Sequence, residues 1–357
     1  MKQSSLILLC SLAVCFGCAD KPKENDMLFA EKQSLVGEVL LTDEALLDPD
    51  HLLITDSLLI VCNRKDSLYL EAFRLPAGEN LGRFLSRGSG PEEFIYVGTM
   101  QRGEDKHSFY VSDFGSHKLF CYDEQDILRG CPTPRPISLP DRNRKIEGAQ
   151  FTHYWYTPQG IVAQNITDKG RICLIESDTA FFGGDYPAPE KIDPRLADYP
   201  LANTMLYQSW ATLSPAADKV ALTCSAADML DVYSLQTNQV KTDWSYWQAY
   251  PDEVVVMPNG DQYLAGLTMR STYHYIDICS SERAVFALYS GKKREEPNYM
   301  TGSRIRVVSW DRSWSKELET TDQLLAISLS PDGNTLYGIN QTEDGYEIKT
   351  YDLTTVL

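Results

Sequence analysis

The chain has 357 residues, 43% of them hydrophobic, and its 33 basic and 50 acidic side chains leave a formal net charge of −17. That length and apolar content support a large core, built as two domains or as one large β domain. The charge argues against nucleic-acid binding, which needs clustered basic residues against a polyanion; the longest basic run, Lys292-Lys293-Arg294, is followed at once by Glu295 and Glu296.

The N-terminus stands apart. Lys2 gives a positive start, and residues 6–16 are mostly apolar. A run of that length suits a secretory signal and is too short to span a bilayer. It closes on "CFGC", with Gly17 directly before Cys18. This resembles a bacterial lipoprotein signal, and the resemblance implies a diacylglyceryl group on Cys18 after cleavage. Cys15 stands where that pattern usually has an aliphatic residue, so a plain cleaved signal is the alternative. Residues 1–18 are thus expected to be a signal peptide, 19–34 a polar tether, and 35–357 a single domain held at the cell envelope by an N-terminal lipid anchor.

From residue 35 onward helical periodicity is nearly absent. Short β-branched and aromatic runs alternate with turn residues. In chain order they pair as 57–63 with 67–75, 108–114 with 117–123, 160–165 with 170–177, 219–225 with 229–235, 283–291 with 304–310, and 334–340 with 346–353. Their apolar anchors Leu59, Phe109, Ile161, Val220, Val285 and Leu336 are separated by 50, 52, 59, 65 and 51 residues. Six hairpin-centred units at a near-even period predict an all-β, six-bladed β-propeller of four-stranded antiparallel blades. Radial stacking hides both faces of a blade, which accounts for inner strands that read as continuous apolar runs. Ring closure is expected to pair residues 36–42 with 346–353.

Two stretches punctuate this pattern. "LSPAADKVAL" from Leu213 and "LSPDGNTLYG" from Leu329 each read as strand, tight turn, strand. "RFLSRGSGPEEF", residues 83–94, falls between the first and second units. It lacks the G-K-[ST] and the following helix of a phosphate-binding loop. The favoured reading is a blade-to-blade corner: Gly88 and Gly90 free to take positive φ, Pro91 stiffening the exit, Glu93 accepting backbone N–H bonds, and Phe94 tucked between blades. A ligand loop is the alternative.

With these pieces placed, the chain resembles the TolB-like six-bladed propeller lipoproteins of Bacteroidetes-type bacteria. The resemblance is carried by "GRFLSRGSGPEEF", "VFALYSG", "IRVVSWD" and "ISLSPDGNTLYGI", and covers about residues 35–357. It implies an exported propeller and supplies no catalytic residues.

Chemical motifs are sparse. Cys62, Cys121, Cys131, Cys173, Cys224 and Cys279 are widely spaced without a C-x-x-C pair, and five of them sit in apolar strand-like runs. Buried free thiols are the expected state. The five histidines, His51, His107, His117, His153 and His274, form no metal-binding spacing, and neither a metal nor another cofactor is expected. No G-x-S-x-G elbow occurs. What remains is aromatic: Tyr154, Trp155 and Tyr156, then Trp244 and Trp247, then Tyr273, all expected in the long connections around units three to five. Flat aromatic faces beside polar groups suit sugars or peptides, although propellers also bury aromatics between blades. The favoured expectation is a membrane-tethered binding or scaffold module for a protein, peptide or glycan partner. The alternative is a lactonase-like or glycan-cleaving enzyme using carboxylates in the central channel, recognisable by titratable groups converging there.

Overall fold

The computed structural model describes residues 28–42, 46–139, 149–177 and 179–356. The expected signal peptide, Cys18 and the expected tether up to residue 27 lie outside the described residues.

The described residues build six blades. Blade 1 is made of Pro49–Ile54, Leu58–Asn63, Leu68–Arg74 and Glu79–Ser86. Blade 2 is Val97–Arg102, Ser108–Asp113, Lys118–Asp123 and Arg135–Ile137; blade 3 is Phe151–Thr157, Gly160–Thr167, Gly170–Glu176 and Thr179–Gly183. Blade 4 is Ser209–Leu213, Lys219–Cys224, Asp228–Gln236 and Gln239–Ala249. Blade 5 opens with Thr272–Ser280, Ala284–Lys293 and Gly302–Ser309, and its fourth strand is the first part of Ser315–Leu329. The remainder of that long strand starts blade 6, followed by Thr335–Gln341 and Tyr346–Asp352. Each of the six hairpins expected from sequence is the second and third strand of its blade.

The ring closes through the N-terminal chain. Glu38–Thr42 is the fourth strand of blade 6, antiparallel to Tyr346–Asp352 with Glu38 opposite Thr350 and Thr42 opposite Glu347. Ahead of it, Lys32–Ser34 runs parallel to Glu317–Glu319 and adds an outer strand to blade 5. The N-terminal segment therefore holds two blades at once.

The continuous apolar runs have a direct explanation. Successive side chains on a strand point to opposite faces, and here each face meets a different blade. Leu58, Ile60 and Cys62 pack with Phe109, Val111 and Phe120 of blade 2. Leu59 and Val61, between them in sequence, pack with Ala326, Ile339 and Ile348 of blade 6. Five further clusters repeat this arrangement around the ring and beneath an insertion on blade 4. Cys62, Cys121, Cys173 and Cys224 are buried in these layers, Cys131 is exposed, and all six described cysteines are free thiols.

The wide spacings around blade 4 are insertions. The short helix Pro200–Met205 precedes its first strand, and the hairpin Val254–Asn259 with Gln262–Leu267 follows its last. They pack on each other over Cys224, Ala226, Ala227 and Met229.

"RGSGPEEF" joins the last strand of blade 1 to the first of blade 2. Gly88 donates its N–H to Phe94 O (2.9 Å), and Phe94 donates to Ser86 O (3.0 Å). Glu93 Oε2 accepts the N–H of Gly90 (2.8 Å), and Lys118 Nζ binds the carbonyls of both. Phe94 is fully buried against Phe120. Gly88 takes the expected positive φ, at 158° close to the extended range, and Gly90 does not. The glycines also matter through space: a Cβ at Gly88 would lie 2.0 Å from Glu93 Oε2, and one at Gly90 3.0 Å from it.

Candidate ligand-binding channel

The first strands of the six blades lie side by side around the ring axis and enclose a cavity of about 680 Å³. Its inner part is lined by His51, Gly98, His153, Ser209, Asp277 and Ile327, one position from each blade. Its mouth lies at the turns that follow the first strands, among Asp56, Glu104, Lys106, Pro215, Glu282 and Pro331. All six blades thus contribute to one site because their first strands enter the ring in the same direction.

Asp277 is the one carboxylate at mid-depth. Its Oδ1 accepts the N–H of Ile278 and its Oδ2 that of Ile327, each at 2.8 Å. Among the described residues no cationic side chain forms an ion pair with it. The residue is partly exposed to the cavity while its carboxyl group sits deep inside the molecule. Burial pushes its pKa up to about 6, against the opposing pull of His51 and the two N–H donors.

Two imidazoles share this depth. Burial, with His51 nearby, pushes the His153 pKa down to about 4, so this ring is neutral at neutral pH. It stacks on Trp155 (6.2 Å between centroids, 27°) and lies against Phe114. His51 of blade 1 meets Trp210 of blade 4 edge to face across the channel, at 6.1 Å and 69°. The Trp210 indole is aimed by its N–H, which donates to Tyr275 O (3.2 Å). Behind His51, Asp50 Oδ2 accepts from Arg64 Nε at 2.5 Å and stands 3.7 Å from His51 Nε2. Gly98 keeps room for this packing, since a Cβ there would stand 3.4 Å from His153 Cδ2 and 3.1 Å from Ser112 Oγ.

Toward the mouth the polar groups are tied down. Gln101 bridges to the backbone of Tyr156, donating to its carbonyl (2.7 Å) and accepting its N–H (2.9 Å). Arg102 reaches from blade 2 to Leu329 O of blade 6 (3.2 Å), and burial lowers its pKa. Burial and the Asp277 charge raise the Cys279 thiol well above its ordinary value.

The six aromatics selected from sequence fall on strands, not in connections. Trp155 and Tyr156 line the channel. Tyr154, pointing the other way on the same strand, is buried with its hydroxyl on His117 Nδ1. Trp244 and Trp247 belong to the outer strand of blade 4; their indoles donate to Trp310 O (2.9 Å) and Asp231 Oδ1 (2.7 Å). Tyr273 packs against Tyr299 at the start of blade 5. The channel therefore gathers two of the six, and adds His51, His153, Trp210 and Asp277, which sequence reasoning missed. No short motif marks them, because each comes from a different blade. Aligning the six units to their first strands would have brought His51, His153 and Asp277 to one ring position, with Trp210 beside it.

The TolB-like 6-blade propeller-like family matches residues 29–320. The chain belongs to that family. Among solved structures, a member of duf4221 family from Bacteroides vulgatus is 12% identical, with a TM-score of 0.54 over 89% of this chain and 97% of that one. A proposed exported protein of Bacteroides fragilis NCTC 9343, also 12% identical, gives a TM-score of 0.51 over 90% of this chain and 98% of that one. At such identities the likeness is one of fold. No curated protein matches the chain in sequence. In this TolB-like propeller, no cluster of three or more His, Cys, Asp or Glu side chains among the described residues is placed to hold a metal ion.

Proposed function

We propose that this TolB-like propeller is an envelope-tethered binding module whose binding site is the central channel, and that the ligand is a short glycan segment. One observation carries the reading: Trp155, Tyr156 and Trp210 line a single cavity of about 680 Å³ together with Asp277, His51 and His153. That volume lies within the range of small-ligand sites, which combine apolar walls with a few placed polar groups. Aromatic faces offer stacking surface to sugar rings, and the polar groups between them offer directional hydrogen bonds.

The lipoprotein-like start and the proposed exported relative agree with an envelope location. The first described residues add geometry. Leu28 and Phe29 pack in the same cluster as Trp310, whose side chain lines the channel mouth, and Phe29 N–H donates to Ser315 Oγ (3.2 Å). The 9 residues between Cys18 and Leu28 can span at most about 35 Å. A lipid on Cys18 would hold the channel mouth within that reach of the bilayer.

The enzymatic alternative draws on Asp277, whose pKa of about 6 suits proton transfer. Glycoside cleavage by carboxylates requires two flanking groups. The other acidic residues lining the cavity, Asp56, Glu104, Asp218 and Glu282, belong to turns at the mouth. Binding is therefore the better-supported reading.

The test is a glycan array followed by calorimetry on the purified propeller. Trp155→Ala and Trp210→Ala should weaken binding at least tenfold, while Trp247→Ala, outside the channel, should not. Equal loss in all three variants, or release of cleaved product, would refute the reading. In cells, Cys18→Ser should move the protein out of the membrane fraction; unchanged fractionation removes the anchor.

A further inference from the structure

The interior of the channel is rich in acceptors and poor in free donors. Asp277 spends one lone-pair site of each oxygen on a backbone N–H. A carboxylate offers about four such sites, so roughly half its capacity is left over. Gln164, on the second strand of blade 3, also lines the cavity and is 5% exposed. Its Nε2 donates to Ser209 O (3.2 Å), which fixes which end of the amide is the oxygen. That Oε1 lies against the His153 ring, which leaves at least one of its two lone pairs unused. The neutral His153 ring has Nδ1 engaged with Thr152 Oγ1 (3.1 Å).

Of the cations lining the cavity, Lys106 lies exposed at the mouth and the other two are committed elsewhere. Arg102 is bonded to Leu329 O, and Lys219 pairs with Asp243 (3.3 Å). A carboxylate deep in a low-dielectric site without a counter-charge is costly, and so is a buried acceptor without a donor. An anionic ligand would add repulsion to that cost. A neutral sugar would leave the charge of Asp277 uncompensated. A ligand carrying an ammonium supplies both the charge and the donors.

We propose that the channel's ligand is an amino sugar with a free, protonated amine, and that the ammonium pairs with Asp277 while Gln164 Oε1 accepts a second donor from the same ligand. The inference rests on the channel being the glycan site.

Calorimetry with glucosamine dimer and its N,N′-diacetylated counterpart tests it, since acetylation removes the charge and keeps the ring. The free amine should bind at least about tenfold tighter, as expected for hydrogen bonds to a charged group. Asp277→Asn should abolish that preference, bringing the free amine's affinity to that of the acetylated sugar. Gln164→Glu, which adds a negative charge to the cavity, should strengthen amine binding. The preference should also shrink as pH falls through 6, because Asp277 takes up a proton; His51, Asp50 and Cys279 are the other ionisable groups near this carboxylate.

If both sugars bind equally, or the preference survives Asp277→Asn, the amine inference falls while the glycan channel stands. If neither sugar binds, both fall. If a short peptide with a free N-terminus competes and the sugars do not, the ligand class is wrong although the role of Asp277 remains.

Discussion

Asp277 and His153 face the same channel and are displaced in opposite directions, the carboxylate up to about 6 and the imidazole down to about 4. One cause acts on both. Burial disfavours the charged form, which is the deprotonated form of an acid and the protonated form of a base.

The pair makes a pH prediction with two signs. The folded protein holds the Asp277 proton more tightly than the unfolded chain, so stability falls as pH rises from about 4 to 6, and the full cost is present above 6. Asp277→Asn should therefore raise the melting temperature at pH 7.5, by on the order of 1–3 kcal/mol of stability, with the gain vanishing near pH 4. For His153 the unfolded chain is protonated first, and stability falls as pH drops from about 6.5 to 4. His153→Gln should flatten that acid limb whatever it does to the melt at neutral pH. Between pH 4 and 6 the two slopes oppose one another, so the wild type should vary less than either variant. Melts from pH 4 to 8 on all three proteins check this.

Ring closure can be probed by one methyl group. A Cβ at Gly37 would sit 2.5 Å from Cε1 of Tyr351, a fully buried ring whose hydroxyl donates to Asp322 Oδ2 (2.8 Å). Gly37→Ala should cost about 1–3 kcal/mol through overpacking. Hydrogen exchange should quicken together in Glu38–Thr42 and Tyr346–Asp352. Faster exchange in only one of the two strands would mean that they do not open as a unit.

The blade 1–2 corner should be structural. Glu93→Ala removes the acceptor of Gly90 N–H and is expected to cost about 1 kcal/mol. Phe94→Ala empties a fully buried aromatic site and should cost about 3–5 kcal/mol. Urea titrations give both values. Channel binding should persist in Glu93→Ala; abolished binding with an unchanged titration would make this loop the site.

Between blades 3 and 4, Arg171 and Asp231 form a fully buried ion pair, with Trp247 donating to the same carboxylate and Arg171 also bonded to Ser209 Oγ. Asp231→Ala leaves a buried cation unpaired and should cost about 3–5 kcal/mol. Adding Arg171→Met should recover much of the loss. A double variant as unstable as the single one would show that the carboxylate matters through its other bonds.

Six hairpins at an even spacing were readable because the cause is local: strand, turn and strand are contiguous, and blade stacking imposes apolar residues on both faces of the inner strands. The closure by residues 38–42 could likewise be anticipated, since a ring of such blades must cover its last edge. The aromatic clusters were readable as clusters, but their orientation was not. On Phe151–Thr157 strand alternation turns Tyr154 into the blade 2–3 layer and Trp155 into the blade 3–4 layer at the channel wall, and a bulge between Phe151 and Tyr154 resets that alternation. His51, His153, Trp210 and Asp277 are separated in sequence by 102, 57 and 67 residues. They meet solely because the first strands of four blades converge on one axis. Their titration shifts depend on that convergence too, since burial is a property of the closed ring and no strand possesses it alone.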